Sequence, residues 1–207
     1  MMMLALTKHL VQSHNQIHAG HWNKELVKPV DAVAYNWTGT SPLSGLYGKT
    51  LGIIGLGEVG SIMASIARGF GMRVAYHNRT RLSESKEKEF GVSYAQRNEL
   101  LAQSDFVSIT AANLPANRGM IDLDTFKLMK RSAFLINTSR GKLVNEDDLH
   151  TAITTGLIAG AGLDVHWEEP RILGNKLLNL PNIIMTPHYA GGSRFGVLEE
   201  LKVIFHN

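Results

Sequence analysis

Leu51-Gly52-Ile53-Ile54-Gly55-Leu56-Gly57-Glu58-Val59-Gly60 decides the fold: a short apolar run, then three glycines spaced GxGxxG. Glycines end helices and turn chains everywhere, so the spacing alone says little. Here it directly follows an apolar strand and opens a helical pattern over Val59–Phe70, the context that a dinucleotide-binding turn requires. Each glycine then has a physical task. Gly55 allows the tight turn, Gly57 lets the backbone approach a pyrophosphate, and Gly60 lets the helix pack closely on the strand. The unpaired amides at the helix start, backed by its dipole, hold the anion.

Such turns are usually followed, about 20 residues on, by an acid at the end of the second strand that binds the ribose 2′-hydroxyl. Here that place falls in Tyr76-His77-Asn78-Arg79-Thr80-Arg81, and no carboxylate appears before Glu84. An acid would repel a 2′-phosphate. Asn78 does not, and Arg79 and Arg81 offer charged donors to one. The expectation is NADP(H) in preference to NAD(H); the plainer alternative is that the arginines are solvated and the site accepts either.

Outward from the turn, short apolar runs alternate with helical patterns. The strand candidates are Thr50–Gly55, Arg73–His77, Phe106–Thr110, Ala133–Asn137, Ala159–Asp164 and Ile183–Thr186, with Val92–Tyr94 as a shorter one. Helical patterns cover Val59–Phe70, Arg97–Gln103, Leu123–Met129 and Glu146–Thr155. This alternation predicts an α/β fold, a parallel sheet covered on both faces and doubly wound by right-handed crossovers. Asn145 before Glu146, Asp147 and Asp148 predicts a helix start: a capping side chain, then acids at the positive end of the dipole. Before this unit, Met1 to about Trp22 suits a single helix, and Pro29–Gly48 reads as a turn-rich connector.

Composition removes several classes of function. The 207 residues are 44% hydrophobic and 19% charged, with a net charge of +3, as in an ordinary globular protein. Lys and Arg are scattered rather than gathered into a stripe, which argues against a nucleic-acid partner. Glu84–Glu89 mixes both signs and reads as a solvated helix face. There is no cysteine, which excludes disulfides, thiolate nucleophiles and Cys-ligated metal and fits a reducing cytoplasm. Met1–Leu6 lacks the basic leading region and cleavage site of a signal peptide, and no apolar run approaches the ~20 residues of a membrane span. His14, His18 and His21 could share a helix face as metal ligands. No carboxylate accompanies them before Glu25, and no metal is expected.

Three later segments each end a strand, where open α/β sheets place their ligands. They are Ile136-Asn137-Thr138-Ser139-Arg140-Gly141, Gly162-Leu163-Asp164-Val165-His166-Trp167-Glu168-Glu169-Pro170 and Met185-Thr186-Pro187-His188-Tyr189-Ala190-Gly191-Gly192. With the glycine turn, they resemble the signatures of the D-isomer-specific 2-hydroxyacid dehydrogenases, in order and spacing from about Leu46 to Gly192. The resemblance implies a hydride transfer between a nicotinamide cofactor and a small 2-oxo or 2-hydroxy acid, glyoxylate or hydroxypyruvate foremost. It places Arg140 on the substrate's carboxylate and carbonyl oxygen, where a planar fork suits bidentate contact. It makes His188 the acid that protonates the carbonyl oxygen. Glu169, before Pro170, becomes the carboxylate that keeps that histidine charged near neutrality. It puts Thr138, Ser139 and Asp164 near the nicotinamide and its ribose, and Glu58 and Val59 along the pyrophosphate. Thr80, Thr110 and Gly191 complete the candidate cofactor contacts.

Two departures narrow this reading. Ala111-Ala112-Asn113-Leu114-Pro115-Ala116-Asn117 lacks the proline near Ala112 and the threonine near Asn117 usual in the family, so cofactor contacts there differ. Formate dehydrogenases carry glutamine where this chain has Glu169, which argues against formate. The resemblance further implies that Met1–Leu6 corresponds to the middle of a long interdomain helix (residues 1–28) at a dimer interface. Residues 191–207 would start the helix that returns to a substrate domain. The expected arrangement is a cofactor domain over 49–190 with two helical stubs, binding cofactor but turning over poorly by itself. A non-enzymatic dinucleotide-binding module of the corepressor type keeps the same Arg-Glu-His trio and is the alternative.

Overall fold

The structure is a computed structural model that describes residues 1–22 and 36–191. Seven parallel strands form one sheet: β1 (Thr50–Ile54), β2 (Arg73–His77), β3 (Ser93–Tyr94), β4 (Phe106–Ile109), β5 (Phe134–Asn137), β6 (Gly160–Leu163) and β7 (Ile183–Met185). Their spatial order is β3-β2-β1-β4-β5-β6-β7, so the direction of winding reverses between β1 and β4. This is the doubly wound arrangement that the alternating pattern predicts. It places the strand ends that carry ligand chemistry along one edge, with a crevice where the order switches.

The side-chain alternation of β1 shows why both faces are covered. Leu51 and Ile53 pack with Ala64, Ala67, Tyr76 and Phe106 beneath α3 (Glu58–Gly69), while Ile54 joins Leu100, Leu101, Phe126 and Leu149 on the other face. That second face is covered by α5 (Arg97–Gln103), α6 (Leu123–Leu128) and α7 (Glu146–Thr154). Every residue of β1 is buried, which a strand sandwiched between helices requires. As its sequence predicts, α7 is capped by Asn145, whose Oδ1 accepts from the Asp147 and Asp148 amides. The mixed-charge run forms α4 (Glu84–Phe90), with Ser83 as its cap and none of its residues buried.

The leading segment differs from the single helix expected. It forms α1 (Met2–Thr7) and α2 (Leu10–His18), broken at His9, whose φ of 47° is left-handed. The connector pins the break: the Ser44 amide donates to the Thr7 carbonyl, and a His9 ring nitrogen lies 3.0 Å from the Pro42 carbonyl. Met2, Ala5 and Leu6 are buried within the chain, with Met2 and Leu6 against Ile136 of β5. These three are thus covered without a partner, whereas Met1 and Leu10 are exposed. Residues 29–35 of the connector and 192–207 of the expected returning helix lie outside the described residues.

Candidate active site

The glycine turn is built as its spacing requires. Gly55 has φ +97°, and a Cβ there would lie 2.6 Å from the Ala111 backbone, so only glycine makes the bend. A Cβ on Gly57 would meet nothing within 4 Å, so open space lies over the start of α3. No side chain caps that helix, which leaves its first-turn amides to an anion. Two neighbours hold the turn. Thr110 Oγ1 donates to the Gly55 carbonyl at 2.6 Å, and Asn78 spans Leu56, accepting from its amide at 2.7 Å and donating to its carbonyl at 3.0 Å. Open space over Gly57 and the unpaired amides at the start of α3 suit an anion such as a pyrophosphate.

The structure therefore gives Asn78 another occupation than the one expected from sequence. Both ends of its amide shape the turn, each with capacity left for a further partner. Arg81 is diverted as well, through a bidentate pair with Glu87 at 2.8 and 2.9 Å. The Arg81 contacts and a hydrogen bond from Tyr76 hold the Glu87 carboxyl down to about 2. Arg79 and Thr80 are exposed beyond β2, and among the described residues Arg79 enters no ion pair.

At the opposite half of the same edge, three loops follow β5, β6 and β7. His188 Nδ1 lies 2.7 Å from Glu169 Oε2. A carboxylate can only accept, so Nδ1 carries a proton and Nε2 is the nitrogen left for a substrate. Burial raises the Glu169 carboxyl, but the bonds from His188 and from the His166 amide outweigh it and hold the group below the ordinary carboxylate range. Glu168, its neighbour in the chain, takes no part in the pair. The histidine's own backbone is strained, with φ +57°.

Asp164 is what holds that strained loop. Its residue is 1% exposed, and its carboxylate accepts from Thr186 Oγ1, from the Tyr189 amide at 3.1 Å and from the Ala190 amide at 2.8 Å. Desolvation pushes this carboxyl up, yet the three hydrogen bonds hold it below its usual value. Buried and holding three hydrogen bonds, Asp164 shapes the His188 loop.

Arg140 follows β5 in a loop fixed by Asn137, whose side chain donates to the Arg140 carbonyl and accepts from the Ser139 amide. Ser139 Oγ ties the loop to the Ala111 carbonyl at 2.7 Å. The Arg140 guanidinium is exposed and bonds only the neighbouring Ser139 carbonyl, with no hydrogen bond to the His188–Glu169 pair. Thr138 lines an apolar groove of about 540 Å³ together with Val59, Ile62, Ile66, Phe70 and Tyr189. A second cavity of about 540 Å³ adjoins the His188–Glu169 pair, walled by Pro170, Leu178, Met185 and Pro187. Gly191, exposed, ends the described chain. Among the described residues no group of three or more His, Asp or Glu side chains is arranged to hold a metal, and no helix is long and apolar enough to cross a membrane.

This pairing of a glycine turn with a histidine–glutamate couple on one sheet edge has clear counterparts. Residues 1–190 match the family model described as D-isomer specific 2-hydroxyacid dehydrogenase, NAD binding domain. The chain belongs to that family. A glyoxylate reductase from Pyrococcus horikoshii is 38% identical over 200 residues, covering 96% of this chain and 56% of that protein. One from Korarchaeum cryptofilum is 38% identical over 192 residues, covering 93% and 54%. Among solved structures, a glyoxylate reductase from Paecilomyes thermophila superposes with a TM-score of 0.81 at 32% identity, covering all of this chain and 58% of that one. This dehydrogenase-family chain thus spans about half the length of the relatives it matches.

Three functional features of this family member escaped the sequence. Asp164 and Thr110, candidate cofactor neighbours, also hold the His188 loop and the glycine turn in place. His166 stood inside a recognised motif without a role. Hydrogen-bond partners lie at sequence separations of 20 or more in these cases (Thr186 from Asp164 and His166, Gly55 from Thr110), and no local pattern encodes them.

Proposed function

We propose that this chain is the nucleotide-binding, proton-donating part of an oxidoreductase that interconverts a small 2-oxo acid and its 2-hydroxy acid, with glyoxylate or hydroxypyruvate as substrate. The observation that carries this is the 2.7 Å His188–Glu169 contact on the edge that also bears the glycine turn. When bound over that turn, a reduced nicotinamide nucleotide supplies the hydride. His188 Nε2 delivers the proton to the carbonyl oxygen, and Glu169 stabilises the charged ring that does so. Arg140, exposed and unpaired with any acid among the described residues, supplies the planar fork for the substrate's carboxylate. Thr138 and Ser139 bound the nicotinamide end, and Asn78 and Thr110 keep the turn in shape.

For the cofactor, NADP(H) is the preferred form. No acid stands at the end of β2, and Arg79 is the exposed cation there. Because Arg81 is held by Glu87, Arg79 rather than Arg81 meets a 2′-phosphate. For a homodimer of the length of its relatives, Ile62 and Ile66 of α3 and Phe70 just after it are exposed and available as an interface. The compartment proposed is the cytoplasm, with no nucleic-acid or membrane partner.

The test is oxidation of NADPH by glyoxylate, followed by absorbance, with the 207-residue chain and with the protein extended to the length of its relatives. The extended protein should turn over, the short chain should bind nucleotide with much slower turnover, and Arg140→Ala should abolish activity in both. Activity unaffected by Arg140→Ala overturns the assignment. A thermal shift with NADH equal to that with NADPH overturns the cofactor preference, since a ligand stabilises in proportion to its binding.

A further inference from the structure

The loop that carries Glu169 is fastened to its surroundings by one residue more than by any other. The backbone amide of His166 donates to Glu169 Oε1 at 2.9 Å, while Oε2 of the same carboxylate holds His188. Its ring reaches the next loop, with Nε2 at 2.9 Å from the Thr186 carbonyl, two residues before His188. Its own peptide is what Gly141 packs against: a Cβ on Gly141 would lie 2.0 Å from the His166 carbonyl carbon and oxygen. His166 therefore touches all three segments that bear Arg140, Glu169 and His188.

The chemistry of its ring is fixed from behind. A carbonyl only accepts, so the bond to Thr186 requires a proton on Nε2. Nδ1 lies 3.1 Å from Arg171 Nη1, and a guanidinium only donates, so Nδ1 is the acceptor. Arg171 is itself held by Glu146 at 2.8 Å, with its side chain only 10% exposed, and by Asn175. Trp167, next in the chain, lies under the Arg118 guanidinium at 5.1 Å and donates its amide to Glu146. Charge, tautomer and backbone are thus set together. A phenylalanine of similar shape would fill the space but bond neither Thr186 nor Arg171.

We propose that His166 is a positioning residue for the reaction: as the Nε2–H tautomer fixed by Arg171, it couples the Glu169 loop to the strand end carrying His188 and so sets the His188–Glu169 contact. This rests on the reading of His188 and Glu169 as the acid pair. The experiment uses the 207-residue chain and needs no turnover. Long-range proton–nitrogen NMR of the histidine rings at pH 8 should show His166 with a protonated Nε2 and a bare Nδ1. Carbon-detected titration of the Glu169 carboxyl should show a midpoint below the ordinary ~4.3. That midpoint should move up toward ~4.3 in His166→Phe and return to the wild-type value in His166→Gln, whose amide nitrogen can still donate to Thr186. An Nδ1–H tautomer, an unmoved midpoint in folded His166→Phe, or a His166→Gln midpoint displaced from wild type overturns the proposal. If His166→Phe does not fold, the wild-type tautomer and the His166→Gln titration decide it. Absence of reductase activity in the protein extended to the length of its relatives, with these NMR results intact, overturns the functional reading alone.

Discussion

Replacing Asp164 by asparagine changes almost no volume and isolates what one buried charge does for the His188 loop. The carboxylate accepts three hydrogen bonds at 1% exposure. An asparagine oxygen can keep Thr186 and Tyr189, but its NH2 group then faces the Ala190 amide, donor against donor. Losing one charge-assisted bond of this kind costs about 1.5–3 kcal/mol. For a chain of this size that corresponds to a fall in Tm of about 3–12 °C. The pH dependence gives a second, independent check. The Asp164 carboxyl lies below its ordinary value when folded, so its contribution is complete above the unfolded value of ~3.9 and is lost as pH falls through the folded one. The variant lacks that contribution at every pH. Thermal unfolding followed by circular dichroism should therefore show a constant gap between the two proteins from pH 5 to 8 that closes in acid; the other carboxylates titrate in both and cancel. A gap under about 0.5 kcal/mol at pH 7 falls below the range for any charge-assisted bond and would refute the reasoning. So would a gap that widens in acid.

Two further outcomes follow from contacts elsewhere. Gly141→Ala must push its new methyl against the His166 backbone, which cannot swing aside as a side chain would; overpacking of this kind costs about 1–3 kcal/mol, measurable by denaturant unfolding, and a variant as stable as wild type contradicts the close approach. Glu87→Gln removes the partner that holds Arg81. Wild type should keep the Glu87 contribution above the unfolded value of ~4.3 and lose it between there and about 2, a step absent from the variant's acid unfolding curve, and NADPH binding should strengthen relative to NADH once Arg81 is released.

Nearly all of the sheet was legible in the sequence because the strands of a covered parallel sheet are continuous apolar runs, and α7 announces its start through Asn145. Thr50–Gly55 and Glu146–Thr155 were placed to within a residue for that reason. The break at His9 was not legible. Nothing in Met1–Trp22 opposes a continuous helix, and the left-handed residue is held by Pro42 and Ser44, more than 30 residues away. Arg79, Arg81 and Asn78 show the same limit. As residue types they describe a phosphate-binding strand end, but Glu87 and Leu56 had claims on two of them that only folding reveals.

By itself, the sequence determined the doubly wound sheet and the glycine turn, since these depend on spacing along the chain: a strand's period and a turn's φ. The tertiary structure decided which polar groups are still free to do chemistry. A hydrogen-bonding side chain has few valences, and a partner from a distant strand can use them up. So Asp164 and Asn78 hold the loops of the proposed site, Arg81 is taken up by Glu87, Arg140 stays exposed, and His166, silent in the sequence, joins the loops that carry Arg140, Glu169 and His188.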